Sequence, residues 1–91
     1  MMVDLKQLRE QVDEVDEQIL QALNKRVHIC KAIGTAKKEQ KKPIKDSDRE
    51  NEVYKRARGR AVKLALDPDQ VESVYREIVN MCSAVQEVKE K

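Results

Sequence analysis

The residues of this chain best placed to do chemistry are polar ones set into apolar stripes. Arg26, Cys30, Ile33 and Lys37 follow one another at steps of four, three and four, the spacing that keeps side chains on one side of an α-helix. Arg26 and Lys37 therefore point within about 20° of each other and stand roughly 16 Å apart along the axis. Two long cationic side chains so arranged can converge on a group between them. Glu50 precedes Val53 and Tyr54 by three and four residues, and Gln86 follows Cys82 by four, so both stand at the edges of core stripes. When the helices pack, the four side chains would face one cavity. Each alone has a plainer reading: Arg26 and Lys37 as stems laid on a core with their heads in water, Glu50 as the closing member of a capping box, Gln86 as a partly exposed residue near a helix end. Their coincidence on mutually facing stripes is what points to a site.

The element that must position the first pair is long. Leu5, Leu8, Val12, Val15, Ile19, Leu23, Cys30 and Ile33 recur at helical steps, which predicts one helix from Leu5 to about Lys41, stopping before Pro43 because a residue preceding proline is pushed out of the α region. Gly34 lies inside it and permits close approach of another backbone or of a ligand. At about 1.5 Å per residue such a helix runs roughly 50 Å, whereas a compact domain of this length has a radius of gyration of about 12 Å. One chain cannot cover that stripe, so a partner is implied, most simply a second copy. Arg9 borders the same stripe but lies about 25 Å from Arg26 along the axis. An antiparallel second copy would bring its Arg9 beside the first copy's Arg26 and Lys37.

Two shorter helices follow. Ser47-Asp48-Arg49-Glu50 has the serine-x-x-glutamate form of a capping box and leads into Val53, Tyr54, Ala57, Ala61 and Leu64, a helix ending near Leu66. Asp67-Pro68-Asp69-Gln70 starts the third: aspartate as N-cap, proline at the first helical position, an acid in the first turn. Its stripe is Val71, Val74, Tyr75, Ile78, Val79, Cys82 and Val85, and the tail after Val88 should fray. The expected fold is all-α, three helices in a single domain over residues 1–91 with its core at about 4–88.

Composition narrows the function classes. With no Phe or Trp and only Tyr54 and Tyr75 as aromatics, the chain lacks base-stacking surfaces. Charged residues reach 40% but nearly cancel at +2, which disfavours nucleic acid as a partner. The run Lys37, Lys38, Lys41, Lys42 and Lys45 reads as a solvated turn. Cys30 and Cys82 fall at core positions without metal-ligand spacing, so they read as reduced, small apolar residues, and His28 as a surface or interface residue. The charged amino terminus and the want of an apolar run long enough for a signal sequence or a membrane span make the cytoplasm, and no membrane partner, the expectation.

At this point the residues resemble a known family, the all-helical chorismate mutases. Leu8-Arg9-Glu10 with Val15-Asp16 downstream, Arg26, Ala36-Lys37, Pro43, the block Asp46-Ser47-Asp48-Arg49-Glu50 and Gln86 match its pattern in order, with no insertion needed. The resemblance implies an intertwined homodimer that converts chorismate to prephenate on the way to phenylalanine and tyrosine, without metal or cofactor. It also implies roles. Arg26 and the partner's Arg9 would hold the substrate's two carboxylates, and Lys37 and Gln86 would donate to its ether oxygen. Glu50, with backbone near Asp46, would take the ring hydroxyl, Ile33 and Val79 would form apolar walls, and Arg49 would be a supporting charge. Cys82 departs from the pattern, standing where better-known members place a serine that hydrogen-bonds a carboxylate. Two rivals remain at this stage. One is an isochorismate pyruvate-lyase on the same fold, which Glu50 disfavours. The other is a noncatalytic dimerisation or adaptor module, for which basic residues have no reason to enter the stripe.

Overall fold

Each helix begins on an aspartate. In the computed structural model, which describes residues 3–87, the side chains of Asp4, Asp46 and Asp67 accept backbone N–H groups of Lys6, Arg49, and both Asp69 and Gln70, satisfying donors that a first helical turn leaves free. The helices are α1 (Leu5–Glu39), α2 (Ser47–Lys63) and α3 (Pro68–Gln86), with no strand among the described residues. This is the expected all-α arrangement of one long and two shorter helices. The fraying expected after Val88 lies outside the described residues.

Two boundaries differ from the sequence reading. The cap of α2 is Asp46, one residue before Ser47, because an aspartate offers the orphan N–H groups an ionised acceptor. Glu50 then stands one place too far along to close a capping box. The first helix ends at Glu39 rather than about Lys41, through a turn in which Lys42 N–H donates to the Lys37 carbonyl at 2.8 Å and Lys41 N–H to that of Lys38 at 3.2 Å. Lys41 is left-handed at φ 56°. The same device ends α2, with Ala65 at φ 58° and Leu66 N–H on the Ala61 carbonyl at 2.8 Å. These are Schellman turns built without glycine.

Packing centres on α3, which lies against both α1 and α2 while those two do not pack on each other. Arg58 of α2 reaches Asp69 and Glu72 of α3 at 2.8 and 3.2 Å, and Arg76 of α3 lies over the Tyr54 ring at 4.4 Å. The shared core is small: Tyr54, Ala57 and Ala61 from α2, Val79 and Cys82 from α3, Cys30 and Gly34 from α1. The first half of α1 has no such cover. Leu5, Leu8, Val12, Val15, Ile19 and Leu20 are each between 43% and 59% exposed, and the chain measures 61 × 29 × 14 Å with a radius of gyration of 16.9 Å, against about 12 Å for a compact chain of this length. Among the described residues no helix is long and apolar enough to cross a membrane.

Candidate active site

The site starts from a missing side chain. A Cβ at Gly34 would stand 3.0 Å from the Gln86 Cα and 3.0 Å from its Cγ, so only glycine lets the end of α3 come this close to α1. That contact sets Gln86 opposite Lys37, one turn further along α1. Lys37 Nζ donates to the Ile44 carbonyl at 2.6 Å and to Gln86 Oε1 at 3.2 Å. A single ammonium thereby ties the α1–α2 connection to the end of α3. Two of its three protons are used, and the third is free for a ligand. Since Gln86 Oε1 accepts from the lysine, its NH2 group is turned to other acceptors.

Arg26 is placed by sulfur. Its Nη1 donates to Cys82 Sγ at 2.6 Å and lies 3.8 Å from Cys30 Sγ, which holds the guanidinium across the α1–α3 seam. Burial is the main reason the Cys30 thiol is pushed up to about 11. Glu50 pairs with Lys45 at 3.1 Å from a largely buried position, while Lys45 itself is exposed. The lysine run therefore splits. Lys37 and Lys45 engage partners, whereas Lys38, Lys41 and Lys42 are simply exposed. Arg49 is exposed and held by Glu52.

These side chains surround one cavity of about 370 Å³. Nine of the ten residues singled out from the sequence line it: Arg26, Ile33, Lys37, Asp46, Arg49, Glu50, Val79, Cys82 and Gln86. Arg9 does not, and it is exposed on the bare half of α1. The sequence reading missed Cys30 as a lining residue, along with Ile29, Ile44, Val53 and Ser83. Their signal was available only in part: Ile29 and Cys30 lie one turn from Arg26 and Ile33, whereas Ile44 sits in a connection whose path no periodicity predicts. His28 is exposed. Chemically, the cavity presents two fixed cations and an amide donor on one side, a carboxylate on another, and aliphatic walls between. It suits a small anionic molecule with a hydroxyl.

Comparison with known proteins bears on which molecule. The sequence model described as chorismate mutase type II matches residues 8–87. The chain belongs to that family. A family member on this evidence of sequence, it is 33% identical over 88 residues to a bifunctional chorismate mutase/prephenate dehydratase of Aquifex aeolicus, an alignment covering 93% of this chain and 24% of the relative. It is also 33% identical over 79 residues to the T-protein of Enterobacter agglomerans, covering 87% of the chain and 21% of that protein. A 3-dehydroquinate dehydratase of Pyrobaculum aerophilum is 34% identical over 79 residues, covering 87% and 23%. The chain thus spans about a quarter of the length of the curated relatives it matches. Among solved structures, a conserved hypothetical protein from Pyrococcus furiosus is 35% identical and superposes with a TM-score of 0.77 over 94% of this chain and 99% of that one. Within the cavity Cys82 bears on the placing of Arg26. Its sulfur takes a hydrogen bond from Arg26, so it orients the guanidinium as an acceptor where a hydroxyl would also donate.

Proposed function

We propose that this chain rearranges chorismate to prephenate, as a homodimer in which Arg9 of the partner subunit completes each cavity. The observation that carries the reading is the convergence of Arg26, Lys37, Gln86 and Glu50, from three helices, on one cavity of about 370 Å³. The rearrangement is unimolecular. It asks for no nucleophile and no proton relay, only for restraint and charge.

The residues supply both. Arg26 and the partner's Arg9 grip the two carboxylates and select the compact conformer in which the reacting carbons meet. As the carbon–oxygen bond breaks, negative charge grows on the ether oxygen. The remaining Lys37 proton and the Gln86 NH2 group, both fixed in advance by their mutual hydrogen bond, stabilise that charge without reorganising. Glu50, beside the Asp46 backbone, accepts the ring hydroxyl, Ile33 and Val79 wall the ring, and Arg49 adds positive potential at the rim. A second copy also answers the bare half of α1, whose Leu5 to Leu20 stripe is otherwise left in water.

The test is a chorismate-consumption assay on the purified chain with no cofactor added. Turnover is expected, and Arg26→Ala or Lys37→Ala should lower it by at least about a hundredfold while a folded dimer persists. Full activity in both variants would remove the proposed site. Isochorismate offered to the same sample separates the lyase, and a dimer inert to both substrates would be the adaptor module.

A further inference from the structure

The rearrangement uses no thiol, yet two stand at the centre of its cavity. Cys30 lies on α1 and Cys82 on α3, one helical turn before Gly34 and Gln86 respectively. At Gly34 the two backbones are in near contact, with the Gln86 Cα 3.0 Å from where a Cβ would be. One turn back the helices have had little length over which to separate. The same guanidinium nitrogen, Arg26 Nη1, lies 2.6 Å from Cys82 Sγ and 3.8 Å from Cys30 Sγ, so the sulfurs are neighbours across the seam. Burial first, and then the neighbouring Cys82 sulfur, raise the Cys30 thiol, with Arg26 and Lys37 pulling the other way. Both are free thiols, almost wholly buried, and both line the cavity, the side from which a disulfide reagent would approach them.

The geometry points to a reversible disulfide between Cys30 and Cys82, a modification site inside the cavity that is set by exchange with a low-molecular-weight disulfide such as oxidised glutathione. Bridging needs Cα atoms about 4.4 to 6.8 Å apart, and the two helices come closest one turn away, at Gly34. In the first step one cysteine thiolate attacks the reagent's disulfide and releases one thiolate. The second cysteine thiolate then attacks the mixed disulfide at the protein sulfur and releases the other. Two protein thiols are oxidised, one reagent disulfide is reduced to two thiols, and the cysteine protons end on those products.

The bridge pins α1 to α3 and takes from Arg26 the thiol that holds its guanidinium. Its effect on turnover rests on the mutase reading, whereas the bridge itself does not. The intact protein is equilibrated with oxidised glutathione, then examined by whole-protein mass, by thiol count after denaturation, by melting temperature without reductant and by chorismate turnover. The expected product is an unadducted chain lighter by two hydrogens, with both thiols lost together and restored by dithiothreitol. Its melting temperature should rise by at least about 10 °C, and its turnover should fall at least about tenfold through misplacement of Arg26. In Cys30→Ser the same treatment should leave a mixed disulfide at most, with no rise in melting temperature. Persistent thiols, glutathione on both cysteines, or a covalent dimer in place of the internal bridge would each overturn the proposal. A bridge with undiminished turnover would overturn its regulatory part. Bridge formation in a protein inert to chorismate would sink the mutase reading and uphold this one, and an active enzyme whose thiols resist exchange would do the reverse.

Discussion

Around Cys30 and Gly34 α1 lies against α3, through small residues that let the two backbones nearly touch. Toward its start the same helix carries Leu5, Leu8, Val12, Val15 and Ile19 at helical spacing, and each is between 43% and 58% exposed. The difference lies in side-chain size. Small residues suit a seam between helices of one chain, where close approach fixes the register of Gln86 and the cysteines. Bulky aliphatics suit a seam at the ordinary 8 to 10 Å interaxial distance, between helices that must find each other. Periodicity alone cannot separate the two halves, because both need cover.

If the first half is an interface, a charge in its middle should have the largest effect. Val15→Asp places an unpaired carboxylate there twice by symmetry. Dimer association should weaken by at least about a thousandfold and turnover should vanish with it, read by sedimentation and chorismate assay on one sample. In the second half the loss should be chemical only. Lys37→Ala should lower kcat by roughly 10²- to 10³-fold, the usual effect of removing one preorganised donor, with the sedimentation coefficient unchanged.

The two glycines give a subtler contrast. At Gly34 an added methyl meets the Gln86 backbone at 3.0 Å, whereas at Gly59 it meets nothing within 4 Å. Gly34→Ala should cost about 1 to 3 kcal/mol by overpacking and displace Gln86. Gly59→Ala should stabilise by about 0.5 to 1 kcal/mol, because alanine surrenders less backbone freedom in a helix. Denaturant melts of the pair should therefore move in opposite directions.

The smallest effect expected is that of pH on the buried thiol. Cys30 is raised from 9.0 to about 11, so between those values the unfolded chain loses this proton before the folded one does. Its contribution to stability is present below pH 9 and is lost as pH rises through the folded value. Under reducing conditions the melting temperature should decline more steeply between pH 9 and 11 in the natural chain than in Cys30→Ala.

Much of this was legible in the sequence because the signals were local. Stripes at helical spacing marked the three helices, and Asp67-Pro68 marked the start of α3 to the residue. Polar intrusions on those stripes picked out Arg26, Lys37, Glu50 and Gln86, which the structure gathers around one cavity. Where two local signals competed, the reading slipped. Asp46 and Ser47 are both good caps, and taking the serine assigned Glu50 a structural task that the fold leaves undone. What no local pattern carried was register between helices. The nearness of Cys30 to Cys82 goes with the Gly34–Gln86 contact, 52 residues apart in sequence, and the place of Ile44 with the hydrogen bond its carbonyl takes from Lys37.

The central claim is that each cavity draws its cations from two chains, and mixing two inactive variants tests it most directly. Arg9→Ala and Arg26→Ala chains are prepared separately, confirmed to be inactive folded dimers, then unfolded together and refolded. In a mixed dimer one cavity has lost both arginines and the other retains both, so random pairing should restore about a quarter of the natural activity. A mixture no more active than its parents would show that Arg9 and Arg26 do not serve one site across the interface.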